Sequence, residues 1–314
     1  MKVLVLSEHE VVELLTMREC IEVMEDAFAA LARGDVHNPL RHAIRAPDAA
    51  GLLGLMPAFR RGATPYYGLK EVCVFPENPS RGLDTHLGAV VLHSGETGQP
   101  LAFMNASAIT AIRTAAVSAV ATRLLAREDA RVLAILGAGV QARSHLQAIP
   151  LVRPIEEVRV FSRTREKAER LGANVVESAE DAIRGADIVV TATNSREPVL
   201  RRDWVKAGAH INAVGSSVAS ARELEADLVA ASSLFVDRRE STINESGDYR
   251  AAIDAGATIR AELGEVLTGS AAGRTSREEI TLFKSLGLAI EDLAAAAFLF
   301  EKARTEKRGA WIDF

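Results

Sequence analysis

One stretch constrains the fold more than any other. In "ILGAGVQA", residues 135–142, an apolar run stops at Gly137-Ala138-Gly139 and a helical pattern begins at Val140. A strand that turns into a helix this way uses its first glycine for the tight turn and its second for close backbone approach. The small residue three positions on, Ala142, lets helix and strand pack closely. Further apolar runs follow, "EVRVFSR", "DIVVTAT", "GAHINAVG" and "SLFVDR", each separated by a helical pattern. Strands alternating with helices imply βαβ units in a parallel sheet. The expected class is α/β, with a Rossmann-type dinucleotide-binding domain.

A helix start at such a turn presents unpaired N–H groups and a positive dipole end, which suit a pyrophosphate. The cradle is therefore assigned to Gly137, Ala138, Gly139, Val140 and Gln141, with Thr191, Ala192, Thr193, Val214 and Gly215 at later strand ends completing the cofactor site. An acidic residue about 20 positions after the cradle would bond a ribose 2′-hydroxyl. Here Ser162, Arg163 and Thr164 stand in its place. A guanidinium and two hydroxyls suit a 2′-phosphate, so NADPH (NADP+) is expected, with NADH as the alternative. The structural reading of Arg163 is a solvated residue at a helix start.

The first third has another texture. Thr16 and Glu19 form a capping-box pattern, and Ile21, Met24, Phe28 and Leu31 recur at helical spacing. Between Leu40 and Asn105 come short apolar runs broken by turn-rich pieces, a mostly β segment. In "YYGLKEVCVF" the alternation puts Lys70 on the face of Val72 and Val74, which a strand would normally bury. An edge guard or a snorkelling chain would explain it, as would a proton donor or carboxylate partner. Arg113 lies in the small-residue helix "ITAIRTAAVSAVA", aimed at an anion or a buried acid, and Arg41 opens the β segment beside a proline. The expected boundaries are 1–112 with 295–314 for a β-rich α+β domain, discontinuous because the last helical pattern crosses back to it, and 113–294 for the Rossmann domain.

The 314 residues carry 37 basic and 42 acidic side chains without a long block of one sign, so no nucleic-acid footprint is expected. Cys20 and Cys73 show no paired spacing, which gives neither a disulfide framework nor a metal site. No secretory signal or membrane span is read, and a cytoplasmic protein is expected. His86 and His93 read as structural. Asp237, in "FVDRRES", either closes a strand near the cofactor or caps the strand end.

Together "PLRHAI", "GLMPAF", "GLKEVCVFPENPSRGLDTHLGAVVLHSGETGQPLAF", "ITAIRTAAVSAVATRLLA", "ILGAGVQARSHL", "NAVGSSVASAREL", "ESGDY" and "TLFKSLGLAIEDLAAA" resemble the ornithine cyclodeaminase/mu-crystallin family over nearly the whole chain. The resemblance implies a homodimer whose discontinuous β-rich domain binds substrate and builds the dimer interface. It also implies that Arg41, Lys70 and Arg113 surround the carboxylate and reacting carbon of a small imino or amino acid. Two positions depart from the cyclodeaminase pattern. Ser217 stands where cyclodeaminases and related alanine dehydrogenases carry an Asp that handles the substrate amine, and Gly54 stands where cyclodeaminases carry a Glu.

"NAVGSSVASAREL" offers Ser216 and Ser217 but no carboxylate until Glu223. A serine has little base strength near neutrality. The expectation is therefore NADPH-dependent reduction of an imine. The substrate would be a cyclic ketimine such as pyrroline- or piperideine-2-carboxylate, or an imine of a 2-oxo acid and an amine. Lys70 and Arg113 would be catalytic, and Arg41, Lys70, Arg113 and Ser217 would bind substrate. The alternatives are an ornithine cyclodeaminase or alanine-type dehydrogenase, and a non-catalytic NADPH-binding protein.

Overall fold

The computed structural model describes residues 1–314, the side chain of Pro79 excepted. The chain forms two compact units, 1–113 with 288–314, and 114–287. The second boundary lies seven residues before the expected 294/295. Its cause is the last helix, Ala289–Glu306, which packs along its whole length in the first unit against the strands Leu52–Arg60 and Tyr66–Val74 and the helix Met17–Ala32.

The 114–287 unit is built on eight parallel strands. Their order is Asn174–Val175, Glu157–Phe161, Val132–Leu136, Ile188–Thr191, His210–Ala213, Thr281–Lys284, Ser233–Val236 and Ile259–Glu262. The chain starts in the middle, builds to one edge, then returns and builds the other way. The switch lies between Val132–Leu136 and Ile188–Thr191, where sheets of this kind bind ligands beyond the carboxyl ends of their strands. Both faces are covered. Leu136, Val189 and Ile211 pack into one apolar cluster, and Ile135, Ile188 and Val190 into the other. Two-sided burial is why these strands read as unbroken apolar runs.

The other unit has an eight-stranded mixed sheet. From one edge it runs Ala310–Asp313, Lys2–Leu6, Pro100–Asn105, His86–Ser94, Tyr66–Val74, Leu52–Arg60 and Val36–His37, and His42–Ile44 also pairs with Leu52–Arg60. All neighbours are antiparallel except Lys2–Leu6 beside Pro100–Asn105. Gly68 lets the last helix lie close, because a Cβ there would come 2.8 Å from Leu293 Cδ1. The opposite face is apolar and open. On it Phe59 and Tyr67 pair across strands with ring centroids 4.5 Å apart, and Tyr67 and Phe103 are 51% and 47% exposed.

The expected capping box is present: Thr16 Oγ1 accepts from Glu19 N, and Glu19 Oε2 accepts from Thr16 N, at the start of Met17–Ala32. The helix Ala106–Leu125 is long and apolar enough to cross a membrane, but 72% of its apolar window is buried inside the protein. Close packing of small side chains, with Ala115, Ala116, Val117, Ala119 and Val120 fully buried, accounts for that composition.

Candidate functional site

The turn after Val132–Leu136 has the geometry its glycines imply. Gly137 sits at φ +119°, and a Cβ there would come 2.3 Å from the Ala192 carbonyl oxygen. Gly139 has no heavy atom within 4 Å of a built Cβ, so its backbone borders open space. It is the N-cap of Val140–Ala148, and no side chain caps that helix start. The open backbone and uncapped N–H groups fit a pyrophosphate. His145 anchors the helix from behind: its Nδ1 lies 2.7 Å from Gln141 O and its Nε2 lies 2.9 Å from Ser118 Oγ. Burial pushes His145 down to about 4, so the ring is neutral.

At the end of the next strand Thr164 N donates to Ser162 Oγ at 3.3 Å. Arg163 is exposed and makes no hydrogen bond or ion pair with the described residues. The strand end thus offers a guanidinium and no carboxylate among 162–164.

The loops after Ile188–Thr191 and His210–Ala213 converge on one carboxylate. Glu223 accepts from Thr191 Oγ1, Thr193 N, Thr193 Oγ1 and Gly215 N at 2.7–2.8 Å. Three of the residues assigned to cofactor binding, Thr191, Thr193 and Gly215, are thereby tied to one buried side chain. The two serines divide. Ser216 is buried and donates to Ala221 O at 2.5 Å, whereas Ser217 is half-buried and its hydroxyl has no partner among the described residues. Asp237 is a backbone anchor: Oδ2 accepts from Leu286 N at 2.6 Å and Gly287 N at 2.9 Å.

In the β-rich unit Lys70 lies on the face turned toward the last helix and is 5% exposed. Its Nζ donates to Thr110 Oγ1 at 2.7 Å and to Asp292 Oδ1 at 3.3 Å. Arg113 Nε donates to the same Asp292 oxygen at 3.2 Å, and its Nη1 donates to Glu291. Glu291 Oε1 also accepts from Leu288 N at 2.8 Å, which fixes the carboxylate at the helix start. Two cations thus meet two carboxylates inside the protein. Burial pushes Lys70 down to about 8, partly offset by Asp292 and reinforced by the Arg113 charge. Burial opposes the Arg113 charge too, but Asp292 and Glu291 outweigh it and hold the guanidinium above its ordinary range.

An edge guard and a snorkelling chain are both excluded for Lys70, because its strand is central and its Nζ is paired inside. Arg41 lies between Val36–His37 and His42–Ile44 on a segment tied to the last helix, where Ile290 N donates to Asn38 Oδ1 at 2.8 Å. Sequence reasoning missed Thr110, Glu291 and Asp292. A signal was present in "LAIEDLAAA", where two adjacent acids interrupt an apolar helix. Among the described residues no cluster of three or more His, Cys, Asp or Glu could hold a metal ion.

A parallel sheet with a glycine cradle at its switch point, joined to a β-rich unit holding a buried lysine and arginine, defines a Rossmann-type dinucleotide-binding protein of two units. The chain belongs to the ornithine cyclodeaminase/mu-crystallin family, whose model matches residues 1–307. It is 41% identical over 290 residues to the ketimine reductase mu-crystallin of Mus musculus, covering 90% of this chain and 91% of that protein. The structure of Thermococcus litoralis Δ1-pyrroline-2-carboxylate reductase in complex with NADH and L-proline matches with a TM-score of 0.93 at 40% identity, covering 98% of this chain and 99% of that one. An archaeal alanine dehydrogenase dimer with bound NAD also gives 0.93, at 35% identity and full coverage of both chains.

Proposed function

We propose that the protein reduces the C=N bond of a small imino acid to an amine, using NADPH in preference to NADH. Preformed imines are favoured over amino acids. The observation that carries this reading is the loop after His210–Ala213: between 214 and 222 it offers the unpartnered hydroxyl of Ser217 and no carboxylate, and the first acid, Glu223, is buried and fully engaged. Oxidising an amine requires a group that takes its proton, and a serine hydroxyl is a poor base near neutrality. Reducing an imine requires the opposite, a proton donor, and Lys70 with its pKa at about 8 is still mostly ammonium at pH 7.

The Gly137–Gly139 cradle would hold the dinucleotide, which would supply the hydride. Arg41 and Arg113 bind and orient the substrate carboxylate, and Lys70 keeps the imine nitrogen protonated. The proton that Lys70 maintains on nitrogen would remain on the amine once the C=N π electrons had moved there. Arg163, with Ser162 and Thr164, supports the NADPH preference because a 2′-phosphate would meet a guanidinium and two hydroxyls there. The named relatives support a cyclic ketimine of the pyrroline-2-carboxylate type, and the open apolar sheet face supports a homodimer. We also propose a cytoplasmic location, in keeping with two free cysteines.

The test is oxidation of NADPH and NADH, followed at 340 nm, over cyclic ketimine carboxylates and over 2-oxo acids paired with amines. Saturable oxidation with a ketimine, and a higher kcat/KM for NADPH, are expected. Turnover of ornithine or alanine exceeding that of every imine would overturn the reading.

A further inference from the structure

Three ionisable side chains in the 114–287 unit take no part in the chemistry above. Glu223, Asp248 and Lys284 are each at most 1% exposed. They come from a loop, the start of the short helix Gly247–Ala252, and the end of the strand Thr281–Lys284. Lys284 Nζ donates to Ser216 O at 2.6 Å and pairs with Asp248 Oδ2 at 2.9 Å. Asp248 Oδ1 accepts from Glu223 N at 2.7 Å and Leu224 N at 3.0 Å. Glu223 then takes its four donors from 191–193 and 215.

Two features make this more than a satisfied interior. Four donors on Glu223 occupy the acceptor sites of an ionised carboxylate, and two of them are backbone N–H groups that cannot turn round. Gly215 lies close to both the acid and the neighbouring loop, because a Cβ there would lie 2.3 Å from Thr193 O and 2.4 Å from Glu223 Oε1. Burying three charges also carries a desolvation cost that an apolar core would avoid. What the three charges hold is the backbone at the carboxyl ends of two adjacent strands, beside the switch point.

We propose that Glu223, Asp248 and Lys284 are positioning residues for the nicotinamide end of the cofactor. They fix residues 191–193 and 214–217 in the shape that seats the ring, and by pinning the Ser216 carbonyl they set the direction of the Ser217 hydroxyl. The proposal rests on the dinucleotide reading of the cradle. It separates two functions within one cofactor site: the glycine turn holds the pyrophosphate, and the charged trio orders the ring.

The test uses the full-length protein and two variants, Glu223→Gln and the charge-balanced Lys284→Met/Asp248→Asn, which keeps the folded state available if the first does not fold. Without cofactor, hydrogen exchange of the Thr193 and Gly215 amides is expected to speed up about 10-fold in Glu223→Gln, the equivalent of one lost hydrogen bond. With NADPH bound, the nicotinamide fluorescence enhancement should fall. The dissociation constant should change by less than about 5-fold, while kcat for the imine drops on the order of 100-fold, the scale of a small misplacement of reacting groups.

Folded variants with parental amide exchange, ring fluorescence and kcat would overturn the proposal. So would variants that lose only melting temperature, since that is a structural role alone. A parent protein that binds the dinucleotide but reduces no imine would overturn the imine-reductase reading and leave this one standing, because exchange and fluorescence need no turnover.

Discussion

Lys70 is the residue on which the chemistry turns, and its environment makes the pH dependence predictable. Its folded pKa is lowered to about 8, burial being the main cause. A proton donor is lost as pH rises through its pKa, so kcat/KM for the imine should fall above about pH 8. Lys70→Ala should reduce kcat about 100- to 10,000-fold, the range for a general acid. Asp292 supports the charged form, so Asp292→Asn should move the descending limb to lower pH. A pH–rate profile of parent and variant checks both the limb and its sign. At Ser217 the prediction is directional: Ser217→Asp supplies a base, and should raise amino-acid oxidation relative to imine reduction at least about 10-fold, measured as the ratio of the two kcat/KM values.

At the scale of elements, the glycine turn and the helix behind it carry the next predictions. Gly137→Ala puts a Cβ against the Ala192 carbonyl at a φ of +119°. It should weaken dinucleotide binding more than 10-fold in calorimetry and cost about 1–3 kcal/mol of stability in urea unfolding. The 114–287 unit also buries two neutral histidines, His145 pushed down to about 4 and His210 to about 3, chiefly by burial. Both lie below the unfolded value. The unfolded chain therefore binds more protons as pH falls below about 6.5, and stability is lost progressively down toward the folded values. At pH 5 each should cost on the order of 1–2 kcal/mol, read as a lower melting temperature that His145→Gln partly flattens.

These elements also show what a sequence can and cannot reveal. The cradle was legible because Gly137, Gly139 and Ala142 are neighbours in the chain. Lys70 was legible only as an anomaly. Alternation exposes a charge on a buried face, but the carboxylate that answers it lies 222 residues away on the last helix. The same limit hid Glu223: it was visible as the first acid after the serines, whereas its fold back beneath Gly215 depends on Asp248 and Lys284 from two other elements.

For the whole molecule, the open sheet face argues for association. Tyr67 and Phe103 present large apolar surfaces to solvent, where a monomer gains nothing from them. Light scattering should give about twice the 33.6 kDa chain mass. Tyr67→Glu with Phe103→Glu should shift the protein toward monomer while melting stays cooperative. A monomeric parent would remove the support this face gives to a homodimer.

The split of the β-rich unit into residues 1–113 and 288–314 has a consequence for how the protein is made. Synthesis runs from the N-terminus, yet Lys70 and Arg113 meet their carboxylates only when Glu291 and Asp292 have been translated. The 114–287 unit is contiguous and can fold first. The buried ion cluster of the opening third must therefore wait, its two cations still in water, through the synthesis of the whole unit that follows it. A chain that ended before residue 291 would keep the glycine cradle but leave Lys70 and Arg113 without the carboxylates that set their charge.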